Sequence, residues 1–510
     1  MIVGGGGEVG GGGETGDPAA TMGPHVIVIP FPAQGQVTPM LKLAEILCLA
    51  GIRVTFLNSH HNHRRLLSSA AVGARLARRP GLHLRSIPDG VPEDHPRTAD
   101  RMMELFDSFN AAARPAFREL LLLLVSGGGD APPVTCVLAD GLLDFPVEVG
   151  EEAGLPVLLF RTSSASSFWA YCCIPDLIQR GEIPFQDGGD LDALLGSVPG
   201  TESFLRRRDL PSFCRAKVVG DAIMQYVKGL SEKAIRCRGL IFNTTELAEE
   251  SILAHIRKQI PLVYTIGPIH KLLKAVESTP ATCTAEGGGG RGWVSSSNSS
   301  SLWKEDRASV EWLDGRPPAS VVYVSFGSVT VLTKEQFYEF WHGLVGSGYD
   351  FLWVLRPGLV VGDAGDLRQG MMAALPVGRK ERAFLVEWAP QEEVLAHPAV
   401  GCFLTHSGWN STLESICAGV PMVCWPYFAD QQINSRFVSE VWGIGVDMKD
   451  TCDRTLVERA VREVMEGESS TKMREAAAAM AMTTREAFAE GGSSHSSLER
   501  IIRDIKSMSS

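Results

Sequence analysis

The sequence predicts two doubly wound α/β domains facing each other across a cleft, and three features of the chain carry that expectation. At 510 residues it is too long for one ordinary hydrophobic core and long enough for two. Apolar, β-branched runs alternate with helix-period segments in two separate series, as parallel βαβ units require. Between the series, periodicity gives way to Ser, Thr and Gly, with GGGGRG and SSSNSSS inside the stretch.

Taken in order, residues 1–21 (MIVGGGGEVGGGGETGDPAAT) lack the basic start and apolar centre of a secretory signal and read as a disordered tail. Met22, directly before GPHVIVIPFP, is an alternative start. The tail's glycines follow no strand, so no phosphate loop is expected there. Residues 22–270 form the first expected domain. HVIVIP is its first strand, Pro39 to Ala50 an amphipathic helix and RVTFLN the second strand, with further strands over 83–87, 134–139, 156–160 and 239–243. The leucine cluster from Leu120 to Val125 reads as one face of a buried helix. Residues 271–305 are the expected flexible linker. The second domain, 306–475, carries strands VVYVSF, FLWVLR, AFLVEW, GCFLTH and PMVCWP, a helix from Lys334 to Val345 and another from Asn410. The last segment, 476–510, is helical in pattern and is expected to pack back on the first domain. Ligands of such sheets sit beyond the carboxyl ends of the strands.

Composition removes several functions. With 48 basic and 59 acidic residues the net charge is −11, which argues against general affinity for nucleic acid or anionic membrane. No apolar run approaches the roughly 18 to 20 residues of a membrane span. The eleven cysteines are scattered without metal-ligand rhythm, so reduced thiols and a cytoplasmic location are expected. A monomer is expected.

The informative stretch runs from Trp388 to Gln431. GCFLTH reads as a strand, HSGW as a tight turn, and NSTLESICAG as a helix opened by Asn410 and Ser411 in capping positions and closed near Gly419. Such a turn aims backbone N–H groups and the positive end of a helix dipole at one point, an anion site that needs no metal. Trp388 offers a flat face to a base, Glu414 accepts from ribose hydroxyls, His406 donates to a phosphate oxygen, and Asp430 with Gln431 suits vicinal sugar hydroxyls. Singly, each has a plain structural reading: core aromatics, caps, a buried histidine, a solvated turn. The pattern as a whole outweighs those readings.

The stretch resembles the plant secondary product glycosyltransferase box of family 1 UDP-glycosyltransferases, and Trp388, Gln391, His406, Trp409, Asn410, Ser411, Glu414, Asp430 and Gln431 fill its hallmark positions. The resemblance implies the GT-B fold, two facing Rossmann-like domains. It implies that Trp388 stacks on uracil while the Ala389 backbone reads its edge, and that Gln391 with Glu414 binds ribose. His406, Asn410 and Ser411 would hold the diphosphate, and Trp409, Asp430 and Gln431 the sugar. Gln431 at the last position goes with glucose, so UDP-glucose is the expected co-substrate. Ser328, in SFGSV, matches a position that touches phosphate, and Thr162, in LLFRTSSA, one near the donor sugar. No other cofactor is expected, and no metal, since no DxD-type motif lies in the donor region.

The first half matches the family through FPAQGQVTPMLKLAEIL and TCVLADGLLDFPVEVGEEAGLPVLLFRTSSA. Asp140 stands where the family has an aspartate that orients its catalytic histidine. At that histidine's own position stands Gln36, which cannot accept a proton at neutral pH. Three readings follow: acceptors that ionise easily, with Asp140 or water completing proton removal; a slow or inactive UDP-sugar-binding homologue; or a substitute from His60, His61 and His63. The first is preferred. Through LNSHHNHRRLL, SIPDGVPEDHPR and FLRRRDLPSF the chain is most similar to the deoxyloganetic acid glucosyltransferase group, which implies a terpenoid or phenolic acceptor, flavonoids and isoflavonoids included.

Overall fold

The computed structural model describes residues 23–127, 132–185, 188–278, 301–362, 370–371 and 380–508. The tail expected over 1–21 and the centre of the expected linker lie outside the described residues. Apolar runs such as HVIVI and CVLAD form strands with every residue buried, the pattern of a parallel sheet covered on both faces. Seven strands make the first sheet: β1 (His25–Ile29), β2 (Arg53–Ser59), β3 (Leu82–Ile87), β4 (Cys136–Asp140), β5 (Val157–Arg161), β6 (Gly239–Phe242) and β7 (Val263–Thr265), in the order β3-β2-β1-β4-β5-β6-β7. Six make the second: β8 (Val321–Ser325), β9 (Asp350–Val354), β10 (Ala383–Val386), β11 (Val400–Thr405), β12 (Met422–Cys424) and β13 (Gly445–Asp447), in the order β10-β9-β8-β11-β12-β13. All the pairings are parallel.

Both sheets reverse direction at the same place, between their first and fourth strands. In the first, β1 pairs β4 with Val26 opposite Cys136; in the second, β8 pairs β11 with Tyr323 opposite Phe403. A doubly wound sheet opens its ligand crevice at this switch point. The chain therefore makes two crevices, one per sheet.

The structure differs from the sequence expectations at several points, each with a local cause. The edge strands β7 and β13 are additional to the expected set; three residues are too few for a period-2 signal. The first helix spans Gln34–Leu49, not Pro39 to Ala50, with Pro39 inside it, so residue 36 lies in its first turn and not in a loop. The linker's flanks are structured. Ile269–Ser278 is a helix whose Leu272 and Leu273 are buried against the first domain, and Leu302 is also buried there. The helix Ser493–Ser507 lies on the first domain as well: Leu498, Ile501 and Ile505 enter its core, and the Thr265 N–H donates to Ser497 Oγ at 3.1 Å. Among the described residues no helix is long and apolar enough to cross a membrane.

Candidate active site

One cavity of about 280 Å³ is lined by residues that follow β1, β4 and β5 of the first sheet and β8 and β11 of the second. The two switch-point crevices share it. Apart from the candidate substitute bases His60, His61 and His63, every site residue named from the sequence, from Gln36 and Asp140 to Gln431, lines this cavity.

The turn after β11 builds its centre. Ser407 has φ 63, a left-handed conformation that costs a non-glycine residue on the order of 1 kcal/mol and recurs at functional turns. The following helix is Trp409–Ala418, with Gly408 at the N-cap and no side-chain cap. Asn410 and Ser411, expected as caps, instead sit in the first turn. The first helical bond is Thr412 N–H to Gly408 O at 2.9 Å. The backbone N–H groups of Trp409, Asn410 and Ser411 find no acceptor among the described residues, as the start of a helix requires. These groups point with the dipole, a ready cradle for a diphosphate.

His406 stands beside that cradle. A Cβ added at Gly327 would lie 2.4 Å from its Nε2, and one at Gly408 2.5 Å, so two glycine turns make room for the imidazole. Burial, reinforced by Arg356, lowers His406 to about 4; the ring is neutral at neutral pH and serves as a hydrogen-bond donor, not a cation. Ser328 follows Gly327 on the loop after β8. Arg356, which sequence reasoning missed, braces that loop: its Nε donates to Gly327 O at 3.0 Å and its Nη2 to Thr330 O.

Around the cradle the polar groups are already organised. Gln391 Nε2 donates to Glu414 Oε2 at 2.7 Å and to Ser411 Oγ at 2.9 Å, while its Oε1 accepts from Tyr323 OH at 3.1 Å. Burial and the neighbouring Glu392 push Glu414 above the usual carboxylate range. Gln431 Oε1 accepts from the Tyr427 and Phe428 N–H groups at 2.8 and 3.0 Å, which leaves its Nε2 to donate into the cavity. Asp430 Oδ2 accepts from Asn434 Nδ2 at 2.8 Å, and burial raises the carboxyl to about 6. Trp409 Nε1 donates to Asn243 O across the cleft at 2.7 Å, so its indole N–H is occupied and only its backbone N–H is free. Trp388 stacks on Trp303, ring centroids 5.5 Å apart and 19° from parallel. Trp303 is not among the residues singled out from the sequence because it falls within the expected linker.

On the first-domain side, Asp140 ends β4 and is 1% exposed. Its oxygens accept from the Phe31 N–H at 3.2 Å and the Leu142 N–H at 2.9 Å. Burial raises it to about 6 against those bonds and the Arg161 charge. Gln36 lines the same cavity, and its side chain makes no hydrogen bond to Asp140 or to any other described residue. Pro39 shapes this turn. Proline has no N–H to give to the carbonyl four residues back, so Gly35 O is left free, and Asn410 Nδ2 donates to it at 2.8 Å. Thr162 follows β5 and is buried against the cavity. His60, His61 and His63 do not line the cavity. His60 Nδ1 bonds Ser86 Oγ at 2.9 Å, and with none of the three histidines on the cavity wall the substitute-base reading has no support in the site.

Comparison with known proteins agrees with this geometry. Residues 308–478 match the family described as UDP-glucoronosyl and UDP-glucosyl transferase. A 7-deoxyloganetic acid glucosyltransferase of Catharanthus roseus is 48% identical, covering 96% of this chain and 98% of the relative. A myricetin 3-O-rhamnoside 1,2-glucosyltransferase of Crocosmia x crocosmiiflora is 45% identical, covering 95% and 96%. Among solved structures, Os79 from O. sativa in complex with UDP superimposes with a TM-score of 0.73 at 27% identity, covering 94% of this chain and 100% of that one. Two facing parallel sheets, an anion cradle between them and relatives matched along almost their whole length lead to one assignment: the chain is a UDP-glycosyltransferase and belongs to the family of UDP-glucoronosyl and UDP-glucosyl transferases.

Proposed function

We propose that the protein is an inverting, metal-independent glucosyltransferase that uses UDP-glucose to form β-glucosides on small lipophilic plant metabolites, terpenoid or phenolic. The observation that carries the reading is the fan of three unpaired N–H groups at Trp409, Asn410 and Ser411, set beside neutral His406 and opposite Asp140 in one cavity. In this reading the uracil lies on Trp388 and against the Ala389 backbone, the ribose meets Gln391 and Glu414, and the diphosphate takes the N–H fan with His406, Asn410, Ser411 and Ser328. Asp430, Gln431 Nε2 and Thr162 take the sugar hydroxyls.

The reaction is a single displacement. The acceptor oxygen forms its bond to C1 as the C1–O bond to UDP breaks, and the leaving electron pair moves toward the positive end of the Trp409–Ala418 helix, where dipole and N–H groups stabilise it without a cation. The acceptor's proton must also leave. General-base assistance is worth about 10² to 10⁴ in rate, and Gln36 cannot supply it. Acceptors whose reacting group ionises readily are therefore favoured, with Asp140 or water completing the transfer. The named relatives act on an iridoid-type acid and a flavonoid glycoside, chemistries that suit the apolar walls Phe31, Met102, Phe106 and Phe213. The catalytically weak alternative rests on Gln36 alone and gains no second support from the site or the relatives.

UDP release measured with UDP-glucose and a panel of terpenoid acids, hydroxyflavonoids and simple alcohols tests the reading, with EDTA in a parallel series. Turnover with the acidic members, insensitive to the chelator, is expected. Release no faster than donor hydrolysis across the whole panel would defeat it.

A further inference from the structure

The strand β5 ends on an arginine that the donor chemistry does not use. Arg161 is 3% exposed and lines the cavity at its first-domain end, among Phe31, Met102, Phe106, Leu142, Tyr171 and Phe213. One face of its guanidinium lies over the Phe168 ring, 4.8 Å from the centroid. Nη1 donates to Gly141 O at 2.5 Å. Room for the group is made by a glycine: a Cβ at Gly141 would lie 2.4 Å from Arg161 Cδ and 2.6 Å from Nη1.

The guanidinium is short of partners. It offers five N–H donors, and the bond to Gly141 O is the hydrogen bond it makes among the described residues. It forms no ion pair with any of them. The other Lys and Arg side chains lining the cavity, Lys42 and Lys274, both bond Glu392 at 2.6 Å. Asp140 and Asp430 share Arg161's electrostatic surroundings, but Asp140 is held by backbone N–H groups and Asp430 by Asn434. Desolvating a cation without a partner is costly. The cost is offset when a ligand brings an anion, and a planar guanidinium fork matches a carboxylate through two parallel bonds.

We propose that Arg161 anchors a carboxylate of the acceptor, so that the acceptor class is a hydroxy-carboxylic acid with a hydrocarbon body. The acid group docks on Arg161, the body fills the aromatic pocket, and a separate, readily ionised hydroxyl is presented to the sugar. This rests on the glucosyltransferase reading above and narrows its acceptor. A second source of the same chemistry is the carboxylate of a uronic-acid sugar donor, which the test separates.

The test compares a hydroxy-carboxylic acid with its own methyl ester as acceptors, in the wild-type enzyme and in Arg161→Gln and Arg161→Lys, with UDP affinity measured for each protein as a check on folding and donor binding. The wild type should prefer the acid at least tenfold in kcat/KM. Arg161→Gln should lower the acid-to-ester ratio at least tenfold, chiefly through KM for the acid, and Arg161→Lys, which keeps the charge without the fork, should fall between. Ester glucosylation without any wild-type preference for the acid would overturn the anchor and leave the glucosyltransferase reading standing. Equal loss for acid and ester in both variants would reduce Arg161 to a counter-charge for Asp140 and Asp430 and overturn it too. A wild-type preference for UDP-glucuronate over UDP-glucose that Arg161→Gln abolishes would move the carboxylate to the donor and likewise overturn the acceptor anchor. Transfer to neither acid nor ester would instead count against the proposed function itself.

Discussion

The crevice of the second sheet and the crevice of the first are built on the same topology and equipped differently. After β11, the turn at Ser407 and the helix behind it deliver three free N–H groups, a neutral histidine and a pre-bonded Gln391–Glu414 pair, nearly all from the run between Trp388 and Gln431. After β1, the corresponding turn delivers Gln36, which makes no side-chain hydrogen bond, opposite a carboxylate pinned by two backbone N–H groups. The difference is one of chemical demand. Gripping a diphosphate needs several donors fixed within one turn and helix, and losing any of them weakens the whole. Activating an acceptor needs one proton acceptor at most, and an acceptor that ionises by itself needs none. The first-domain crevice can therefore change its chemistry without disturbing the donor grip.

His406→Ala should act most strongly, and it probes the donor crevice. Removing one preorganised donor from a developing oxyanion costs about 10² to 10³ in kcat, and the loss should be alike for every acceptor in a steady-state assay. A loss confined to some acceptors would mean that the two crevices are not separable in this way. Gln36→His should act in the opposite direction and only on the acceptor side. It should raise turnover of weakly acidic alcohols at least about tenfold and leave readily ionised acceptors nearly unaffected; an unchanged rate with alcohols would show that residue 36 is not at the reacting hydroxyl.

Much of this contrast is legible in the sequence, because the donor crevice is nearly contiguous in the chain. Strand, turn, helix start and Gln431 lie close together, so the run reads as an anion site in one stretch and carries the family resemblance that assigns its residues. The first-domain crevice joins residues 31–36, 140 and 161–162, and a string of letters carries no distance between them. Arg161 reads as an ordinary strand end after VLLF; its want of partners appears only when Gly141, Phe168 and the cavity are assembled around it. Pro39 misplaces the helix start, since a proline five residues in reads as a beginning until Gly35 O is seen bonded to Asn410. Asn410 and Ser411 read as caps for a similar reason: cap-type residues slightly too far along the helix look the same in a string.

A weaker effect falls on the pH profile. Burial holds both Asp140 and Asp430 at about 6, so the charges they contribute to the site are lost as pH falls through 6, and not through the ordinary range near 4. The kcat/KM profile should be half-maximal near pH 6 on its acid side. Stability runs the other way. A carboxyl that binds its proton more tightly folded than unfolded contributes stability below its unfolded pKa, and that contribution is lost as pH rises through 6. Thermal melting across pH 4 to 7 should carry this opposite trend; an acid limb near 4 in activity would remove both carboxyls from the mechanism.

Every step of the proposed reaction presupposes that the turn before the Trp409–Ala418 helix grips a uridine diphosphate without a cation. Calorimetric titration of the purified protein with UDP, in the presence and absence of EDTA, isolates that step from acceptor chemistry. Saturable one-site binding is expected, with the same affinity in both conditions and a weaker one in His406→Ala. No binding to folded protein, or binding that the chelator abolishes, would contradict it.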